Sequence, residues 1–146
     1  MKKVHLLLAI AMLSLVVACK KDRSDDSVRM NLITTGEWKL VALTSQPGHD
    51  VDGDGIADTD MFAFMDLCET DNLIVFKKSG EYQVDEGPTK CDPSDPQVST
   101  SHWQFTNNDT GIIIDGDVGK IEELTTSLLV ISGQLQGETY TFTYRR

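Results

Sequence analysis

The chain has 146 residues, of which 40% are hydrophobic and 25% charged, a composition that fits one ordinary globular domain. Its 23 acidic and 13 basic side chains give a formal charge of −10, which argues against nucleic acid as a partner and favours metal cations. Three cysteines and 7% aromatic residues argue against a disulfide-dense miniature scaffold.

The first 18 residues have the pattern of a secretory signal peptide. Two lysines precede an apolar run over residues 6–17, in which only Ser14 is polar and which is too short to span a bilayer of about 30 Å. The stretch Leu15-Val16-Val17-Ala18-Cys19 resembles the lipobox of bacterial lipoproteins, in which the cysteine is lipidated and becomes the new N-terminus. We therefore expect cleavage after residue 18 and a lipid on Cys19; the alternative is an ordinary signal peptide with Cys19 as a bystander.

Residues 20–26 are all polar or charged, which predicts a solvated, lipid-anchored tether over residues 19–30. Charged residues directly after a lipidated cysteine resemble the surface-export signals of some Gram-negative lipoproteins, and a plain linker is the alternative. The expected location is the cell envelope, with the lipid in the outer membrane and the domain in the periplasm or at the surface. The membrane is therefore the first expected partner.

From Gly36 onwards the sequence consists of short segments of period two separated by Gly, Asn and Asp, which is typical of antiparallel strands with one wet face. The last segment is the clearest, because Tyr140, Phe142 and Tyr144 alternate with threonines. Short turns between the segments predict an up-and-down meander, and closure into a barrel removes its exposed edges. The eight candidate strands are 36–44, 72–77, 81–86, 100–106, 111–115, 119–125, 128–133 and 138–145.

Turn chemistry sets the register of the second and third candidate strands. A three-residue loop with Gly80 in the left-handed conformation pairs Phe76 with Tyr82 and Ile74 with Val84, so that one face is apolar. A two-residue loop would place these apolar side chains opposite polar ones. The first register is favoured because burial of one face specifies it.

The sharpest local motif is Asp50-Val51-Asp52-Gly53-Asp54-Gly55-Ile56-Ala57-Asp58, whose spacing resembles the calcium loops of EF-hands, dockerins and thrombospondin-type repeats. Met61 replaces the bidentate acid that ends such loops, so Asp60, or the more distant Asp66 or Glu69, would have to complete the ligand shell. A weak Ca²⁺ site is expected, and the alternative is an acidic solvated loop without fixed metal. The expected ligands are Asp50, Asp52, Asp54, the Ile56 carbonyl, Asp58 and Asp60.

Several weak motifs in a specific order resemble the small lipocalin-like domains of Gram-negative lipoproteins over about residues 30–146: Gly36-Glu37-Trp38-Lys39-Leu40, Phe76 with Ser79-Gly80-Glu81-Tyr82, Trp103, and Tyr144-Arg145. The resemblance implies that Trp38 closes one barrel end and that Arg145 or Arg146 packs across its indole through a cation–π contact. The resulting expectation for residues 31–146 is an all-β, eight-stranded up-and-down antiparallel barrel of lipocalin-like type. One short helix, around residues 61–67, is expected in its first long connection.

The three cysteines divide into a lipidation site and a pair. With Cys19 assigned to lipid, Cys68 and Cys91 remain, and in an oxidising envelope they are expected to form a disulfide. The alternatives are two free thiols or a metal pair, for which no second cysteine or nearby histidine completes a zinc set.

The interior and the motifs define two function classes. Eight strands enclose space for side chains or one small ligand, and the many large residues argue for a mostly occupied interior. Tyr82, Trp103 and Phe105 are expected to line the narrow cavity that remains, which admits at most a small apolar molecule. The first class is therefore a lipid-anchored binding module; the second is a structural or accessory lipoprotein with a packed barrel and loops that meet an envelope protein. No catalytic signature is present in the sequence, so a non-enzymatic role is expected.

Overall fold

The computed structural model describes residues 23–146, so the predicted signal peptide and Cys19 lie outside the described residues. Within that range the chain contains two α-helices, a 3₁₀ turn at Phe62–Phe64 and nine strands. The helices are α1 (Arg23–Thr34) and α2 (Leu67–Thr70). The strands are β1 (Trp38–His49), β2 (Asp58–Asp60), β3 (Leu73–Phe76), β4 (Glu81–Asp85), β5 (Val98–Thr106), β6 (Gly111–Ile114), β7 (Asp117–Leu124), β8 (Leu128–Leu135) and β9 (Glu138–Arg145).

Eight of the nine described strands form a closed antiparallel barrel, which confirms the predicted fold. Strands β3 to β9 pair in chain order, and β1 pairs with both β3 and β9 and so closes the sheet. Each of the eight predicted segments overlaps one of these strands. The 3₁₀ turn and α2 supply the short helical structure expected between β1 and β3.

The predicted hairpin register is also confirmed. Phe76 lies opposite Tyr82 and Ile74 opposite Val84 in the β3–β4 pair. Gly80 has φ of +88°, the left-handed conformation that the three-residue loop requires.

The short strand β2 was not predicted, because Asp58-Thr59-Asp60 has no apolar alternation. It pairs with an extension of β1, with Thr44 opposite Asp60 and His49 opposite Asp58. Gly48 permits this close approach, since a Cβ there would lie 2.4 Å from the carbonyl oxygen of Asp58. The pairing therefore carries the predicted calcium loop at the tip of a β-ribbon that begins in the barrel wall.

Part of the segment assigned to the tether is helical, since α1 begins at Arg23 and continues to the barrel. Ile33 of α1 is fully buried, and Met30 packs against the same core. The Arg29 Nε donates a hydrogen bond to the carbonyl oxygen of Asp109 at 2.9 Å. Apolar burial at this end of α1 thus explains why the chain there is structured. Between residues 23 and 146, neither helix has the length and apolar character needed to cross a membrane.

Candidate ligand cavity and calcium loop

One end of the barrel is closed around Trp38, whose side chain is fully buried at the start of β1. The indole Nε1 donates to the carbonyl oxygen of Ile33 at 2.9 Å, which joins the plug to α1. The guanidinium carbon of Arg146 lies 4.2 Å from the centroid of the indole ring. Of the two arginines implied by the resemblance, the structure therefore places Arg146 on the plug. Arg145 is exposed, because side chains alternate along β9 and the inward position before it belongs to Tyr144.

The three side chains predicted to line a cavity instead belong to a packed aromatic cluster. The ring centroid of Phe76 lies 5.2 Å from that of Tyr82 and 5.1 Å from that of Trp103. Trp103 and Phe105 pack edge to face, with their ring centroids 5.1 Å apart. The Trp103 indole donates to the carbonyl oxygen of Lys77 at 2.9 Å. Burial raises the pKa of Tyr82 to about 12. Edge-to-face contacts are a preferred geometry of aromatic pairs, and these residues fill part of the interior, as their number and size predict.

A cavity of about 400 Å³ lies away from this cluster, where β1, β8 and β9 meet the start of β7. Register places Leu43 opposite Phe142 and Gly133 opposite Tyr140, so these four positions share the inner face. A Cβ at Gly133 would meet only the carbonyl oxygen of Val118, at 3.7 Å, which leaves room beside the aromatic rings. The lining residues are Leu43, Asp117, Val118, Gly133, Gln134, Leu135, Tyr140 and Phe142.

A β-bulge in β1 explains how Leu43 reaches this face. The register of β1 against β9 shifts between Leu40 and Ala42, so Leu40 lies opposite Tyr144 and Leu43 opposite Phe142. An extra residue in a strand reverses the sides of all later side chains. A strict period of two from Trp38 would turn Leu43 outward, and the sequence offered no signal for the bulge.

Tyr140 of the cavity lining has polar neighbours on β1 and β9. The Tyr140 hydroxyl donates to Oε2 of Glu138 at 2.9 Å, and Nε2 of His49 lies 2.9 Å from the same oxygen. The hydrogen bond to Glu138, followed by desolvation, raises the pKa of Tyr140 and keeps its phenol a donor. Ser45 lies opposite Tyr140 and is 0% exposed, yet its hydroxyl has no hydrogen-bond partner within residues 23–146.

Three of the predicted calcium ligands come together in the loop between β1 and β2. Carboxylate oxygens of Asp50, Asp52 and Asp58 all lie within 4.8 Å of one another. Asp50 accepts hydrogen bonds from the backbone N–H groups of Gly53 at 2.8 Å and Gly55 at 3.0 Å. The loop thus folds around its first carboxylate, and the three acids are spaced as oxygen ligands of one cation would be.

The remaining predicted ligands lie outside this cluster. Asp54 Oδ1 accepts from the N–H of Ile56 at 2.7 Å, and Ile56 itself is exposed. Asp60 Oδ1 accepts from the N–H of Phe62 at 3.1 Å, at the start of the 3₁₀ turn. The distant alternative Glu69 accepts from the N–H of Asp66 at 3.0 Å at the start of α2.

The predicted disulfide is confirmed. Cys68 and Cys91 are bonded, with their Cα atoms 5.1 Å apart and 23 residues of sequence separation. The bond joins α2 to the chain between β4 and β5. It excludes the two alternatives for this pair, free thiols and a metal site.

A closed eight-stranded antiparallel barrel with a plugged end has an interior that holds either packed side chains or one small ligand. A family model described as a lipocalin-like domain matches residues 34–131, which is more than half of the chain. The protein therefore belongs to the lipocalin-like domain family, whose members are in general binding proteins and not enzymes. Comparison with curated proteins and comparison with solved structures each found no match.

Proposed function

We propose that this protein is a lipid-anchored binding module of the bacterial cell envelope and that its barrel takes one small, largely apolar ligand. The cavity of about 400 Å³ carries the proposal, because ligand pockets generally measure about 300–1,000 Å³ and are lined mostly by apolar and aromatic side chains. Leu43, Leu135 and Phe142 supply such a lining. The volume favours a small molecule over a long-chain lipid.

An accessory role is the second candidate, and the packed aromatic cluster around Trp103 favours it. In that case the barrel is a scaffold, and its loops meet another envelope protein. The two roles differ in one measurable respect, which is whether a small apolar probe enters the cavity.

Filling the cavity with a side chain tests the binding role. Gly133→Leu places a branched side chain on the inner face of β8, where the structure leaves space. Wild type should bind the neutral probe N-phenyl-1-naphthylamine, followed by its fluorescence, and Gly133→Leu should bind it at least tenfold more weakly. Ser132→Leu is the matched control, because it adds the same side chain to the opposite face of the strand. Equal binding by both variants, or no binding by wild type, would support the accessory role.

The anchoring part of the proposal rests on the lipobox-like stretch that ends at Cys19. A cysteine that carries more than one acyl chain holds a protein stably on a membrane, whereas a single chain gives reversible attachment. Cys19→Ser should therefore release the protein from the membrane fraction, and the wild-type N-terminal peptide should carry the mass of acyl chains. A mutant that sediments with membranes as fully as wild type would contradict the anchor.

The calcium part of the proposal assigns the ion to Asp50, Asp52 and Asp58, with Asp54 and the Ile56 carbonyl as further oxygen donors from the same loop. Converging carboxylates are the ligands that calcium prefers, and without a cation they repel one another. Bound there, the ion would cross-link the start and the end of the loop. Its expected effect is on stability, since the loop has no pair of flanking helices that could move as a calcium sensor does.

A further inference from the structure

The cavity has one carboxylate in its lining and a second one beside it. Asp117, which lies opposite Ile114 on the inner face of β7, is the only ionisable side chain among the described lining residues apart from Tyr140. Glu138 adds a second carboxylate beside the lining residue Tyr140, whose hydroxyl donates to it, and Nε2 of His49 lies 2.9 Å from the same oxygen. The nearest lysine on β7, Lys120, is engaged with Glu122, 2.6 Å away, and Lys120 does not line the cavity.

From this arrangement we infer that the ligand is a small organic cation, an apolar amine whose ammonium group is held by Asp117 and Glu138. The inference rests on the proposed binding role and specifies its ligand class. An ammonium near two carboxylates gains Coulomb energy that a neutral molecule does not gain, and a carboxylate ligand would be repelled. Fatty acids are therefore disfavoured.

The aromatic lining suits the same class of ligand. Tyr140 and Phe142 both line the cavity, and aromatic faces attract ammonium groups through their quadrupoles. The apolar part of an amine would lie against Leu43 and Leu135, so one molecule would contact both the aliphatic and the aromatic side chains of the lining.

Three ligands of equal length separate the charge preference from simple apolar binding. n-Octylamine, n-octanol and n-octanoate are titrated at pH 7.5 against the full chain loaded with N-phenyl-1-naphthylamine, and displacement of the probe is measured. The expected order of affinity is amine, then alcohol, then acid, with the amine at least tenfold tighter than the alcohol. Raising the ionic strength should lower the affinity for the amine and leave the affinity for the alcohol unchanged, because salt screens the charge interaction.

Variants identify the carboxylates. Asp117→Asn combined with Glu138→Gln should remove the advantage of the amine while the affinity for octanol stays within about twofold, which also shows that the cavity is intact. Glu122→Gln is the matched control, since Glu122 lies on the same strand as Asp117 but bonds Lys120 and Ser132 at the outer surface. It should leave the order of the three ligands unchanged.

Each outcome has a distinct meaning. An alcohol that binds as tightly as the amine in wild type, or an acid that binds best, overturns the cation inference and leaves the binding role standing. Failure of the probe and of all three ligands to bind wild type overturns the binding role together with the inference. An amine preference that survives in the double variant also overturns it, because the charge would then come from elsewhere.

Discussion

The guanidinium of Arg146 lies over the indole of Trp38, with Cζ 4.2 Å from the ring centroid, and this pair ties three parts of the chain together. Arg146 donates hydrogen bonds to the carbonyl oxygens of Thr35, after α1, and Thr126, in the turn between β7 and β8. Trp38 in turn donates to Ile33 of α1. The closed end of the barrel is thus held by the Arg146 guanidinium and the Trp38 indole, which both donate hydrogen bonds to backbone carbonyl oxygens.

Arg146→Ala should lower the free energy of unfolding by about 1–2 kcal/mol, because the cation–π contact and the bonds to two carbonyls are lost together. Arg146→Lys should recover only part of this, since an ammonium lacks the planar fork. Arg145→Ala is the control, because its side chain is exposed on the other face, and it should have little effect. Urea unfolding of the three variants checks this, and an equal loss for both alanine variants would contradict the assignment.

The disulfide should make a larger contribution. Cys68→Ser/Cys91→Ser should lower the free energy of unfolding by about 3 kcal/mol, the chain-entropy value for a loop of this length. Reduction of the wild type with a thiol should give the same loss. Urea unfolding measures both, with Ser94→Ala as a control substitution in the same exposed segment. A loss below about 1 kcal/mol would mean that the bond does not constrain the unfolded chain.

The strands and their pairing were predictable because both depend on local patterns. Period-two alternation located the eight barrel strands, and the left-handed Gly80 fixed Phe76 opposite Tyr82. The disulfide followed from a count of cysteines and the expected compartment. These signals are short in range, so a single sequence contains them.

The cavity could not be located from the sequence, because it depends on a register shift and on missing side chains. The bulge after Leu40 turns Leu43 and Ser45 inward, and no residue type marks it. The many large aromatic residues predicted a mostly occupied interior, as the packing of Trp103 on Phe105 illustrates, but they did not indicate where the remaining space lies. Gly133 was the available signal, since a glycine inside a strand leaves space.

Calcium should stabilise the protein by binding to Asp50, Asp52 and Asp58 in the predicted calcium loop. Calcium at ten times its dissociation constant, expected on the order of 10⁻⁴ to 10⁻³ M, should raise the free energy of unfolding by about 1.4 kcal/mol. Asp50→Asn/Asp52→Asn should abolish this rise in a thermal or urea titration. Asp92→Asn/Asp95→Asn is the matched control, with the same change of charge in another exposed loop. A calcium effect of equal size in both double variants would assign it to net charge alone.

Alkaline pH should destabilise the barrel through its buried phenols. Burial raises the pKa of Tyr82 to about 12, and burial followed by the charge of Tyr82 raises that of Tyr144. In the unfolded chain a tyrosine titrates near 10, so above that pH the unfolded state releases a proton that the folded state retains. The stability contributed by the neutral phenol is therefore complete below pH 10 and is lost as the pH rises towards 12.

Tyr82→Phe should remove the share of this loss that belongs to Tyr82, about 2 kcal/mol at pH 11.5. Urea unfolding of wild type and Tyr82→Phe between pH 8 and 11.5 measures it as the difference between the two pH profiles. The lysines are common to both proteins, so their contribution cancels in that difference. The profiles should run parallel below pH 9.5 and diverge above it, with the variant losing less stability. Parallel profiles over the whole range would mean that the Tyr82 phenol reaches water in the folded protein and that the aromatic cluster is not closed.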